Sequence, residues 1–246
     1  MISKLMVELC SISYKENFEK CTLQKNIQFQ NICTKYNIKI NNIICVKHTH
    51  TAFGGSHIVA ATAANIIQSR DFCIVVFKGT DNVFDMVADI NFFPKSTPVG
   101  VVHRGFYNIF EKIYPDLKKH LDNITKKIFL TGHSLGAALA VLCSAHFRHK
   151  NPLLITFGSP RVGAKSFIDY VSKDVEHIRW ENTNDIVCYY PFFYRHFGEK
   201  RSVLFGNFFN KNHGSKYYKK IICTKCTDYY ENENVIKSTT NKNCLS

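Results

Sequence analysis

The 246 residues contain no run approaching eighteen uninterrupted apolar positions, so a membrane-spanning helix is not expected. The six prolines and twelve glycines gather into no rich stretch, and no internal repeat or low-complexity block is visible. Solenoid and multi-module architectures are thereby excluded. One domain over 1–246 is expected, ending in a polar tail at about 231–246. The opening MISKLMVELC, read as a leader, would put Lys4 and Glu8 inside its apolar region, so no secretory signal is expected. Acidic side chains are also scarce, 19 Asp and Glu against 32 Lys and Arg, and the resulting +13 favours an anionic partner. Between Arg195 and Lys225 eight basic residues face the single acid Glu199. No recognised nucleic-acid-binding motif accompanies this charge, so no nucleic acid is expected and an anionic membrane or lipid-droplet surface fits better.

Ten cysteines are present at irregular spacings. Cys73 and Cys143 fall in apolar segments and read as buried thiols. Only Cys223-Thr-Lys-Cys226 resembles a metal or redox pair, and a zinc site would need two further ligands that are not evident, so no metal is expected. The set fits a reducing compartment better than a disulfide framework, and with no leader or spanning helix a cytoplasmic or membrane-peripheral location follows as the expectation. The pattern carries no signal of oligomeric state.

Residues 1 to about 36 read as helical. Ile38–Val46 and His57–Ile67 have strand character. Cys73–Phe77, Lys127–Thr131 and Leu153–Phe157 are short apolar runs of the kind buried on both faces of a sheet. Helical spacing returns at 81–93, 106–121 and 137–147. Strand and helix alternation predicts right-handed crossovers and an α/β fold with a mostly parallel sheet.

Gly132-His133-Ser134-Leu135-Gly136 sits where a buried strand meets a helix, the context of a nucleophile elbow that lifts a serine hydroxyl above the sheet. Serine is a weak nucleophile near neutral pH and needs a histidine base, which needs a carboxylate to fix its tautomer. Asp185, beside a short strand-like stretch, is a better acid than Asp169 or Asp174, which lie in a segment resembling a surface helix. Spacing leaves the base open between His196 and His213. His133 is expected to point away from the pocket and to be structural.

Several segments in order, from about Cys73 to Tyr218, resemble the class 3 lipases, the family that includes the fungal triacylglycerol lipases. They are Val75-Val-Phe-Lys-Gly-Thr80, Asp85-Met-Val-Ala-Asp-Ile90, Val102-His-Arg-Gly-Phe106, Thr131-Gly-His-Ser-Leu-Gly136 and Thr156-Phe-Gly-Ser-Pro-Arg-Val-Gly163. Asn184-Asp-Ile-Val187, Tyr194-Arg-His-Phe-Gly198 and His213 with a tyrosine four residues on complete the set. The resemblance implies an α/β-hydrolase fold with a short lid helix, and Ser134 as nucleophile, Asp185 as acid and His213 rather than His196 as base. It further implies Thr80 and the backbone N–H of Leu135 as the oxyanion hole, with no metal or organic cofactor. Departures include Met86 where the family often has tryptophan, Cys188 where proline often follows, and Asn212 in place of aspartate.

If 81–93 is a lid, Val83, Phe84, Met86, Val87 and Phe93 would cover the serine in water and turn outward at a lipid surface, stabilised there by about 25 cal/mol per Å² of apolar burial. The functional expectation is a triacylglycerol or acylglycerol lipase working through an acyl-enzyme at an interface. The alternatives are a phospholipase or lysophospholipase, since the triad is indifferent to the head group, and a catalytically inactive lipid-binding module on the same fold.

Overall fold

A computed structural model of the chain describes residues 1–19, 21–51, 58–80, 93–204 and 213–225. The lid residues Val83, Phe84, Met86 and Val87, as well as Cys226 and the 231–246 tail, lie outside them.

The apolar runs do form buried strands. Seven strands make one sheet in the order β1 (Ile40–Thr51), β2 (Ile58–Ser69), β3 (Phe72–Phe77), β6 (Lys127–His133), β7 (Leu153–Phe157), β8 (Glu176–Asn182) and β9 (Glu199–Val203). The first three pair antiparallel, whereas β3 to β6, β6 to β7, β7 to β8 and β8 to β9 are all parallel. Two short strands, β4 (Pro94–Thr97) and β5 (Gly100–His103), form a separate antiparallel pair. The helical stretch at the start divides into α1 (Ile2–Ile12), α2 (Glu16–Glu19) and α3 (Ile27–Lys35), followed later by α4 (Arg104–Leu121), α5 (Leu135–His146), α6 (Lys165–Val171) and α7 (Ser215–Lys225).

Alternation along the central strands divides the interior in two. Val75, Phe77, Ile128, Leu130 and Leu154 face a core closed by α4, α5 and α6, through Phe110, Ile113, Leu139, Leu142 and Phe167. Ile74, Val76, Phe129, Ile155 and Phe157 face the other, closed by α1, α3 and α7 through Met6, Leu9, Phe29, Tyr218 and Ile222. Both faces of the parallel strands are therefore covered, which is why they read as continuous apolar runs. This is the mostly parallel sheet flanked by helices that an α/β-hydrolase fold requires. Among the described residues no helix is long and apolar enough to cross a membrane.

One expectation is corrected here. The cysteines were expected to be reduced, but Cys21 and Cys45 form a disulfide that joins the segment after α2 to β1. The pairing escapes sequence spacing because it depends on β1 lying alongside the N-terminal helices. Cys73 and Cys143 are buried thiols as expected. Cys223 is also a free thiol, directed at the Glu8 carboxylate at 3.7 Å.

Five histidines are held neutral, His103, His133 and His177 buried and His146 and His196 half-buried. Burial lowers His103 and His146 to about 4 and His196 to about 3, and pushes His133 and His177 well below the ordinary value of 6.5. An unfolded chain takes up these protons from about pH 6.5 downward and the folded one does not. The stability they permit is therefore complete above that pH and is lost as pH falls toward the folded values, by up to about 1.4 kcal/mol per pH unit for each histidine. Urea midpoints measured between pH 7.5 and 4.5 should fall steeply below about 6.5. A flat profile across that window would show that these histidines are accessible.

Candidate active site

At the carboxyl end of β6 the chain turns directly into α5, and Ser134 makes the turn. Its φ of 58° and ψ of −125° lie in a region that costs a residue with a Cβ about 1–3 kcal/mol. The backbone on both sides holds it there: the Ser134 N–H donates to the Phe157 carbonyl at 3.1 Å, and its own carbonyl accepts from Ala137 and Ala138 at 2.9 and 3.2 Å. Its side chain does not cap the helix, and the buried Oγ has no hydrogen-bond partner. An orphaned buried hydroxyl at a strained turn calls for an explanation beyond folding.

Leu135 supplies the first N–H of α5, which has no carbonyl four residues back within the helix. Thr80 lies three residues beyond β3. Gly136 brings the two regions together: a Cβ there would lie 2.4 Å from the Phe77 carbonyl and 3.0 Å from the Gly79 nitrogen. The start of α5 therefore packs on the backbone leading to Thr80, and a larger residue would force the two apart.

Asp185 ends the turn after β8 and is 1% exposed. Its Oδ1 accepts from the Val187 N–H at 3.1 Å, capping the short 3-10 turn Ile186–Tyr189. Its Oδ2 accepts from His213 Nδ1 at 2.7 Å and from the Tyr218 hydroxyl at 2.8 Å. Tyr218 in turn accepts from the Asn182 N–H at 2.9 Å. Burial pushes the Tyr218 phenol well above 10, which keeps it a donor. Gly158, at φ +56°, passes directly against this group: a Cβ would lie 3.0 Å from Asp185 Oδ2 and 3.1 Å from His213 Cε1. With Nδ1 engaged by Asp185, the remaining His213 nitrogen, Nε2, is buried without a partner.

Ser134, Asp185 and His213, named from sequence, thus gather at the carboxyl ends of β6, β7 and β8, where α/β sheets bind ligands. The rival residues go elsewhere. His196 Nε2 donates to the Cys188 carbonyl at 2.8 Å and lies 3.6 Å from Glu181. Asp169 pairs with Lys165 and Asp174 with Arg148 on the surface. The ring nitrogens of His133 meet the Tyr14 hydroxyl and the His213 carbonyl. The tyrosine four residues after His213 is Tyr217, which is 38% exposed, but the one that grips Asp185 is its neighbour Tyr218. Adjacent tyrosines cannot be told apart by spacing, since the choice depends on which face of α7 meets the sheet. Tyr14 had no sequence signal at all. Among the described residues no cluster of His, Cys, Asp or Glu has metal-binding geometry.

The model of the family described as lipase (class 3) matches residues 74–195. A lipase of Rhizomucor miehei is 34% identical over 152 residues, 54% of this chain and 42% of the relative. A secreted mono- and diacylglycerol lipase of Fusarium solani is 33% identical over 116 residues, 43% of this chain and 35% of the relative. The chain thus spans less than half the length of these curated relatives. The structure of lipase II from Rhizopus niveus superposes with a TM-score of 0.67 over 82% of this chain and 79% of that one, at 23% identity, a likeness of fold. With the matched segment running from β3 through the Ser134 turn and Asp185 to Arg195, the chain belongs to the class 3 lipase family.

Proposed function

We propose that this protein is a serine carboxylic ester hydrolase that cleaves acylglycerols at a lipid surface through an acyl-enzyme intermediate. The observation that carries the reading is the pair of complementary orphans, Ser134 Oγ and His213 Nε2, the latter on a ring tethered to Asp185. Ser134 Oγ attacks the ester carbonyl while its proton passes to His213 Nε2. Asp185 holds the ring in the tautomer that leaves Nε2 bare and stabilises the imidazolium that results. The tetrahedral oxyanion accepts hydrogen bonds from the Leu135 N–H at the head of α5 and from Thr80, and each such donor is worth about 3 kcal/mol. His213 then returns its proton to the departing glyceride oxygen. A water, deprotonated by the same nitrogen, releases the fatty acid and restores the serine.

The surroundings favour a lipid. Ile186, next to Asp185, and Phe192 and Phe193 are 60%, 68% and 81% exposed at the same end of the sheet, and Phe93 is also exposed. Cations stand among them, with Arg161 donating to the Phe192 carbonyl at 3.3 Å and Arg104 over the Phe93 ring at 6.0 Å. Aromatic rings beside guanidinium groups suit a surface of acyl chains and anionic head groups. The same cations support the second reading, a phospholipase or lysophospholipase. The Fusarium relative's name supports acylglycerols.

Hydrolysis of emulsified triacylglycerol and of vesicles of anionic phospholipid, compared at matched protein concentration, tests both readings. Ser134→Ala should abolish turnover of the preferred lipid, and Asp185→Asn should lower kcat by about 10⁴-fold through the wrong histidine tautomer. Faster phospholipid cleavage would replace the acylglycerol reading. A wild-type protein that cleaves neither lipid nor a soluble ester would leave a lipid-binding module. In the active enzyme, Phe192→Asp with Phe193→Asp should depress hydrolysis of the emulsion at least tenfold and leave a soluble short-chain ester within about twofold. Equal losses on both substrates would remove these rings from the interface.

A further inference from the structure

We infer that Tyr14, in the turn between α1 and α2 and outside the segment matched by the family model, and His133 act as positioning residues that hold the base His213 in register with Ser134. The inference rests on the serine hydrolase reading above and names two more residues of that site. The Tyr14 hydroxyl lies 2.6 Å from His133 Nδ1, and His133 Nε2 meets the backbone carbonyl of His213. A carbonyl only accepts, so Nε2 carries the proton and donates it. Burial, followed by the nearby His213 ring, keeps His133 neutral far below the usual histidine range. A neutral imidazole protonated at Nε2 has a bare Nδ1, which accepts from Tyr14 Oη–H. The phenol thereby selects the tautomer of His133 that grips His213.

The same hydroxyl reaches a third neighbour. A Cβ on Gly79 would lie 2.1 Å from Tyr14 Oη and 2.6 Å from the His133 carbonyl. Tyr14 is therefore wedged against the residue before Thr80 while bonded to the residue before Ser134, and through His133 it reaches the backbone of His213. One side chain braces the oxyanion strand, the nucleophile turn and the base. The His133 and His213 rings lie with centroids 4.7 Å apart, and the Tyr218 ring lies 5.6 Å from that of His133. His213 is consequently fixed twice, by its side chain to Asp185 and by its carbonyl to His133. The second anchor matters because residue 213 enters α7 directly, and without it the Asp185 bond alone would set the direction of Nε2.

Tyr14→Phe deletes only the hydroxyl. The matched control is Tyr36→Phe, which deletes a hydroxyl of the same helical layer, bonded to Glu8 Oε1 at 3.1 Å and remote from the relay. On a soluble p-nitrophenyl ester, Tyr14→Phe should lower kcat by roughly 10- to 100-fold with KM within twofold, as expected for misplacement of a reacting group. Tyr36→Phe should leave kcat unchanged, whatever it does to the melting temperature. A readout independent of turnover is the ¹⁵N NMR signature of His133: one Nε2–H tautomer in the wild type, and a mixture or an Nδ1–H form in Tyr14→Phe. Equal kcat losses in the two variants, or an unchanged tautomer in Tyr14→Phe, would overturn the inference. Were the wild type inactive on every ester, the hydrolase reading would fail and the tautomer would still decide whether the relay exists.

Discussion

The carboxylate of Asp185 is the constraint around which the rest of the structure is arranged. A carboxylate buried this fully costs several kcal/mol unless its lone pairs are met. The donors come from three places in the chain: the Val187 amide just beyond it, the His213 ring, and the Tyr218 hydroxyl on α7. Satisfying them requires β8 to end beside β7, α7 to lie across the sheet, and Gly158 to leave room for both the carboxylate and the imidazole. A shift in any one of these elements would leave the carboxylate under-bonded, and this couples the fold's stability to the geometry of the site.

Ser134 carries the complementary constraint. Its backbone conformation is unfavourable and its hydroxyl is unsatisfied, and both are tolerated because the hydrogen bonds of β6, β7 and α5 over-determine the turn. The cost of this strained turn and its buried, unpaired hydroxyl is offset by the two apolar layers on either side of the sheet. The helical layer of α1, α3 and α7 does more than cover that sheet. It brings the Tyr14 hydroxyl to His133 and, through Glu8, ties α1 to α3 and α7 by contacts with Lys35, Tyr36 and Cys223.

Much of the centre of the fold was legible in the chain. The runs at 73–77, 127–131 and 153–157 are dominated by apolar residues, with no charge in their interiors, because both faces of those strands are buried, and such runs announce themselves. The edges were harder. β8 carries His177, Arg179 and Glu181 on buried faces, where Arg179 pairs with Glu181 and His177 meets the Thr156 hydroxyl at 2.8 Å. A strand with polar residues buried along one face has only a broken apolar signature to read. β1 and β2 run longer than the expected segments because antiparallel pairing, rather than side-chain pattern, extends them.

By itself the sequence marked the Ser134 turn, Asp185 and the strands of the parallel core, because each rests on local features: a glycine-flanked serine at a strand end, an aspartate after a strand, and apolar runs of strand length. Only the tertiary structure shows that it is His213, and Tyr218 rather than Tyr217, that meets Asp185. It alone paired Cys21 with Cys45 and carried Tyr14 across 119 residues to His133. These choices depend on which side chains meet across the sheet. That is settled by the packing of whole elements, a property that spacing along one chain does not contain.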